Sequence, residues 1–418
     1  MTPCRRHAFK GFALKHLASV LLVMYCICPC ACTREDENFF PTVAKGLYDW
    51  EKVHDLGLQR PQGLHVSEVY TAQEGAERYC NGAVPFLLGG TLYLMWQSSH
   101  EDEDSGDTHL MYAISEDLGE SWSSPMRLCP QNETSTEKDE YFYTSGGWAG
   151  KGDTIVAFVN RWKKDRQKEG GEAFFLESSD GTLWSAPGPV LMGDGTPMKG
   201  VIEQDIHALP SGRKGKGSLY VTGVHLSPGL HLCPVYTEDP SGRSGWKRGV
   251  FPSDESGQQS REMEPSFYYR RRAGKDIQWV MLSRDQHSSF RKLYSVSSDC
   301  GRTWSESRES GIPDSRSKQS CGNLPDGTVY SIGNPSTSKD RTVLALALSS
   351  DGTLFDRAFL LEGGGPSLPP RVYDGRAKTI GYSYPKACVG GGYLFVGYSV
   401  NKERIRVGRI PLRSLVRQ

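Results

Sequence analysis

Ser115-Glu-Asp-Leu-Gly-Glu-Ser-Trp122 has three further copies along the chain: Ser178-Ser-Asp-Gly-Thr-Leu-Trp184, Ser297-Ser-Asp-Cys-Gly-Arg-Thr-Trp304 and Ser349-Ser-Asp-Gly-Thr-Leu-Phe355. Each follows an apolar run: Leu110 to Ile114, Ala173 to Leu176, Lys292 to Val296, and Leu344 to Leu348. The pattern spells a β-hairpin. A serine ends one strand, the aspartate accepts bonds from turn amides, glycine takes a positive φ, and the aromatic ring covers the turn. A single Asp-Gly hairpin is commonplace, but four in the same frame define a repeat. Their aspartates are expected to be structural.

Outward from these turns the same texture continues. Short runs rich in Val, Leu, Tyr and Phe, such as Thr91 to Trp96, Thr154 to Val159, Ser218 to Thr222, Gln278 to Leu282 and Tyr393 to Tyr398, are bounded by Gly, Asp, Asn and Pro. Long 3.6-residue periodicity is missing, and 47 glycines and 24 prolines punctuate the 418 residues. This predicts an all-β fold: sandwich, barrel or propeller. Roughly 63 residues separate the first two boxes and roughly 52 the last two, so the ~370 residues beyond the leader divide into six blades.

Charge excludes some functions. Lys plus Arg and Asp plus Glu both number 49, giving a formal net charge of +0. A nucleic-acid partner or an anionic membrane surface would call for a basic excess. At the N-terminus, Arg5, Arg6, Lys10 and Lys15 precede the apolar run Leu17 to Ile27 and then Cys28-Pro29-Cys30-Ala31-Cys32. That order predicts a signal peptide over 1–32, a linker over 33–45 and the propeller over 46–418. The apolar run is shorter than the ~20 residues of a spanning helix. The protein is expected to be secreted, or tethered by lipid on Cys32; Ala31-Cys32 resembles a lipoprotein cleavage site, with Pro29 in place of the usual leucine. Six cysteines beyond Cys32 permit disulfides but show no metal-ligand spacing. No metal and no organic cofactor is expected.

The four boxes resemble the Asp-box of sialidases and related six-bladed propellers, and the likeness extends over most of the chain. Sialidases act on a sugar whose anomeric carbon bears a carboxylate. Guanidinium groups suit that carboxylate. A neutral nucleophile avoids its charge, and a second carboxyl group protonates the leaving oxygen. The resemblance implies an exo-glycosidase acting by retention on sialic acid or a related acidic sugar. Alternatives are a hydrolase or lyase on other acidic polysaccharides, and a non-catalytic glycan-binding propeller.

The resemblance also assigns residues. Ile380-Gly-Tyr-Ser-Tyr-Pro385 points to Tyr382 as nucleophile, with Tyr384 the close alternative. Glu262-Met-Glu-Pro-Ser266 and, one strand later, Met281-Leu-Ser-Arg284 make Glu264 the base of that tyrosine and Arg284 a carboxylate ligand. Arg341, after Gly333-Asn-Pro335, is a second carboxylate ligand. Asp104, in the acidic loop Glu101 to Asp107, is the acid/base, with Asp102 and Asp107 as neighbours that could displace it. The aromatic-Arg-Ile-Pro motif of sialidases is not kept: alignment on Pro85 places Ala83 where an arginine belongs. Arg78 or Asn81 is expected to bond the substrate instead. Asp205 and His207, in Glu203-Gln-Asp-Ile-His207, are further substrate-binding candidates, with His225, His231, Trp96, Trp148 and Trp162 behind them.

Overall fold

The computed structural model describes residues 39–103, 105–129, 141–163, 170–210, 218–252, 259–272 and 276–416. The chain divides into two compact units, Met1–Phe39 and Phe40–Gln418. Only Phe39 of the first is described, so the signal peptide and Cys32 lie outside the described residues. No helix among the described residues is long and apolar enough to cross a membrane.

In the second unit the strands of the described residues form six sheets that succeed one another along the chain as a β-propeller. In the first sheet, Tyr79–Leu88, Thr91–Ser99, His109–Ser115 and Met126–Cys129 are hydrogen-bonded in sequence order. The second begins with Tyr141–Lys151, the third with Gly200–Ile202 and His207–Pro210, the fourth with Glu262–Arg271, the fifth with Ser320–Asn323 and the sixth with Tyr382–Gly390. These opening strands are the inner ones. Tyr382–Gly390 packs beside Tyr79–Leu88, and Glu262–Arg271 beside Ser320–Asn323. The sixth sheet closes the ring by taking its fourth strand, His65–Thr71, from before the first sheet, against Arg404–Pro411. Within the stretch expected to be a linker, Thr42–Val43 instead inserts in parallel between Arg308–Pro313 and Leu354–Phe355, as its β-branched pair favours.

Alternating apolar residues of neighbouring sheets make the core. Leu344, Leu346 and Leu348 of the fifth sheet pack against Leu394, Val396 and Tyr398 of the sixth. The four boxes sit between the third and fourth strands or their equivalents and repeat one bonding pattern. Ser115, Ser178, Ser297 and Ser349 each donate to the aspartate two residues on, at 2.7 to 2.9 Å. The same hydroxyls accept from the amides of Gly119, Gly181, Gly301 and Gly352. The aspartates accept further turn amides, so they are structural, as expected.

Candidate active site

At the same level of five inner strands the chain enters the left-handed region: Gly82 (φ 68°), Gly147 (φ 111°), Gln204 (φ 60°), Glu264 (φ 53°) and Tyr384 (φ 57°). In sheets one, two, four and six the residue falls at a break in register, between Asn81 and Val84, Ser145 and Gly147, Met263 and Ser266, and Ser383 and Lys386. A bulge adds a residue to one strand and re-aims a side chain. A non-glycine residue with φ above zero costs energy, and such residues cluster at functional sites. Three of these positions carry Gln, Glu and Tyr.

The bulge separates the two candidate tyrosines. Residues two apart in an unbroken strand share a face, but Tyr382 precedes the break and Tyr384 lies in it. Tyr382 is fully buried, donates its hydroxyl to the carbonyl of Gly363 at 2.9 Å and meets Tyr398 edge to face. It belongs to the core between sheets five and six. Tyr384 stands among charges instead. Arg341, Lys318 and Lys402 approach its ring at 5.6, 5.2 and 5.3 Å. Burial, then Glu264 and Glu103, push the pKa of its hydroxyl up, against the pull of Arg284 and Arg341. Of the two candidate tyrosines, Tyr384 stands beside Arg341 and Tyr382 lies in the core.

Glu264 is held from both ends. Its amide donates to Nε2 of buried His225 at 3.3 Å, and His225 Nδ1 lies 3.2 Å from the carbonyl of Leu230. Its Oε2 accepts from Arg284 Nη1 at 3.0 Å, leaving Oε1 for another donor. Burial pushes its pKa up, but Arg284, Lys318 and Arg341 more than reverse that and bring it to about 2, so the carboxylate is ionised. Arg284 lies near the end of the second strand of its sheet, opposite Met263 in register. Arg341 is fixed by its backbone: its carbonyl accepts from the amide of Tyr382 at 2.8 Å, and Asn334 bonds the carbonyls of Arg341, Val343 and Tyr382. Its Nη1 reaches Ser383 Oγ at 3.4 Å.

Other expected residues lie elsewhere. Asp104 is outside the described residues. Of its neighbours, Asp102 accepts the amide of Ala377 and Asp107 pairs with His100; Glu103 pairs with Lys402 at 2.6 Å beside Tyr384. Arg78 is not brought to the arginines: its guanidinium lies 5.4 Å over the Tyr373 ring, drawn there by the aromatic face. Asn81 is fully buried, with Oδ1 bonded to Ser399 Oγ at 2.7 Å and Nδ2 unpartnered. Asp205 and His207 are also separated from the arginines. The left-handed Gln204 reaches Ser145 and Lys318, while Asp205, one residue on, pairs with Lys386 and His207. Together with Trp148, Tyr269 and Tyr330, Asp205, His207 and Lys386 line a distinct cavity of about 490 Å³. Trp96 and Trp162 are core residues, and Cys80, Cys321 and Cys388 are free thiols.

Sequence reading missed Arg316, Lys318 and Lys402. Lys318 bonds Glu203 at 2.9 Å and Gln204 at 2.7 Å. The one signal was position: Ser315-Arg-Ser-Lys318 immediately precedes an inner strand, as Glu264 opens another.

The BNR repeat-like domain family matches residues 90–396 of this propeller. The chain belongs to it. Among solved structures it is similar to a sialidase at 18% identity and TM-score 0.61, over 90% of this chain and 35% of that one. It therefore spans about a third of that protein's length. The Hadza microbial sialidase Hz136 is similar at 13% identity and TM-score 0.63, over 84% of this chain and 69% of that one. The intramolecular trans-sialidase from Ruminococcus gnavus is similar at 12% and 0.56, over 87% and 100%. At these identities the likeness is one of fold. No curated protein sequence matches the chain.

Proposed function

We propose that the chain is a retaining exo-glycosidase that removes a terminal carboxylate-bearing sugar, sialic acid first among them, from glycans outside the cytoplasm. The observation that carries this reading is the convergence of Tyr384, Glu264, Arg284 and Arg341. Arg284 and Arg341 bind the sugar's carboxylate, since guanidinium groups give charge-assisted bonds of fixed direction. Tyr384 attacks the anomeric carbon as a neutral hydroxyl that escapes repulsion by that carboxylate. Glu264 takes the phenol proton on Oε1 while Arg284 steadies Oε2. No hydrogen bond joins Tyr384 to Glu264 among the described residues; apo sites commonly tighten only with substrate. Asp104 protonates the leaving oxygen and then activates the water that cleaves the glycosyl–tyrosine bond.

The test is hydrolysis of a fluorogenic α-sialoside by the secreted protein, with Asp104→Ala as control. Turnover lost in the variant supports the reading. An unsaturated product absorbing in the near ultraviolet points to a lyase. Binding of an acidic glycan without product points to a lectin-like propeller.

A further inference from the structure

We propose that Arg316 is a third anion-binding arm of the axial site, and that it seats the ligand's carboxylate on the side of the fourth and fifth sheets. The inference rests on the glycosidase reading for the identity of the ligand, but on its own geometry for the anion site.

Arg316 sits just before the inner strand Ser320–Asn323, in the left-handed region at φ 59°. Its backbone is fixed twice: the amide donates to Asp314 Oδ2 at 3.1 Å, and the carbonyl accepts from Arg341 Nη2 at 3.1 Å. Its side chain is treated differently. Arg284 spends Nη1 on Glu264 and Nη2 on Gln286, and Arg341 spends its two on Ser383 and Arg316. Nε is buried without a partner in all three, but only Arg316 also has no protein acceptor for its Nη groups among the described residues. A planar fork of donors held partly inside the protein with nothing to bond is the group that gains most from a carboxylate.

The local charge agrees. Lys318 and Lys402 are paired with Glu203 and Glu103. Asp285 is paired with Arg261, and Glu264 is bonded by Arg284, so neither carboxylate is bonded to Arg316. Burial, followed by Arg284 and then Arg341, weakens the hold of Arg316 on its proton, with Asp285 and Glu264 opposing. An arriving anion relieves that repulsion.

The first sheet offers no competing arm. Ala83 is fully buried, and a Cβ on Gly82 would lie 2.3 Å from Gln204 Nε2, so the glutamine already fills that side.

Calorimetric titration of the full protein with N-acetylneuraminic acid, glucuronic acid and the neutral N-acetylmannosamine tests the proposal. Arg316→Gly keeps the backbone bonds and suits the positive φ, so its Tm should match the wild type. For whichever acid binds, its Kd should rise roughly 10- to 100-fold. Arg316→Lys should recover part of the loss, and weak binding of the neutral sugar should not change. Equal Kd in wild type and Arg316→Gly would overturn the proposal, as would wild-type protein that binds neither acid. Binding that tracks Arg316 without turnover of the sialoside would sink only the glycosidase reading.

Discussion

Tyr382 and Tyr384 are chemically identical and two residues apart, yet one is core and the other faces the charged axis. The bulge after Ser383 makes the difference, and it supplies a sharp prediction. Tyr384→Phe should lower kcat by roughly 10²- to 10⁴-fold if the hydroxyl is the reacting group. Tyr382→Phe should leave kcat unchanged. It strands the buried carbonyl of Gly363, so it should cost about 1–3 kcal/mol in a denaturant titration. Position 83 gives a second prediction. Ala83→Arg rebuilds the motif that sialidases carry, but the position is fully buried in the apolar cluster of Leu94, Trp96 and Phe395. Overpacking of that kind should lower stability by at least about 1–3 kcal/mol without raising affinity for the sialoside. An active, tighter-binding Ala83→Arg would show that the axial space is organised differently.

The box is the element that made the fold legible. Ser, Asp, Gly and an aromatic, in full form twice and one residue shorter twice, are demanded by one bonding pattern, so four copies could be read without coordinates. A fifth copy was not. Thr237 takes the place of serine, donates to the carbonyl of Ser244, and accepts from the amide of Asp239; Asp239 accepts from Ser241 and Ser244; and Trp246 covers the turn. Two inserted residues and the threonine hide it from a pattern search. Asp299→Ala and Asp239→Ala should therefore behave alike, each lowering Tm with kcat untouched. A lower kcat in either would give a box a role in chemistry. The bulges were illegible for a different reason. A bulge has no residue signature of its own: Glu264 and Tyr384 adopt positive φ because neighbouring strands hold them there. That is also why Arg316 escaped notice while Glu264, Arg284 and Arg341 were found by their motif. Asp205 and His207 were expected with them, but past left-handed Gln204, between the strands Gly200–Ile202 and His207–Pro210, they line the separate cavity beside Trp148.

Across the whole molecule, opposite sheets are tied through the axis. Lys386 of the sixth sheet pairs with Asp205 of the third and bonds the carbonyl of Gln319 in the fifth at 3.0 Å. Asp205→Ala leaves the Lys386 charge buried and uncompensated and should cost about 3–5 kcal/mol, whereas Asp205→Leu with Lys386→Met should recover most of it. Acid should act on the same scale. Glu264 is ionised down to about 2 against an ordinary 4.5, so its contribution is complete above 4.5 and lost as pH falls towards 2. Asp205 and Asp285 are lowered as well, despite burial, by His207 and Lys386 and by Arg261. Tm should be flat from about pH 5 to 7 and drop steeply below it; a flat Tm down to about pH 2.5 would contradict the pairing. The central claim is that Tyr384 is the nucleophile of a carboxylate-sugar glycosidase. Incubation with 2,3-difluorosialic acid, followed by peptide mass mapping, tests it most directly. The account predicts one sugar adduct, on Tyr384, that is absent in Tyr384→Phe. An adduct on Tyr382 or on a carboxylate, or protein that binds the sugar and carries no adduct, would contradict it.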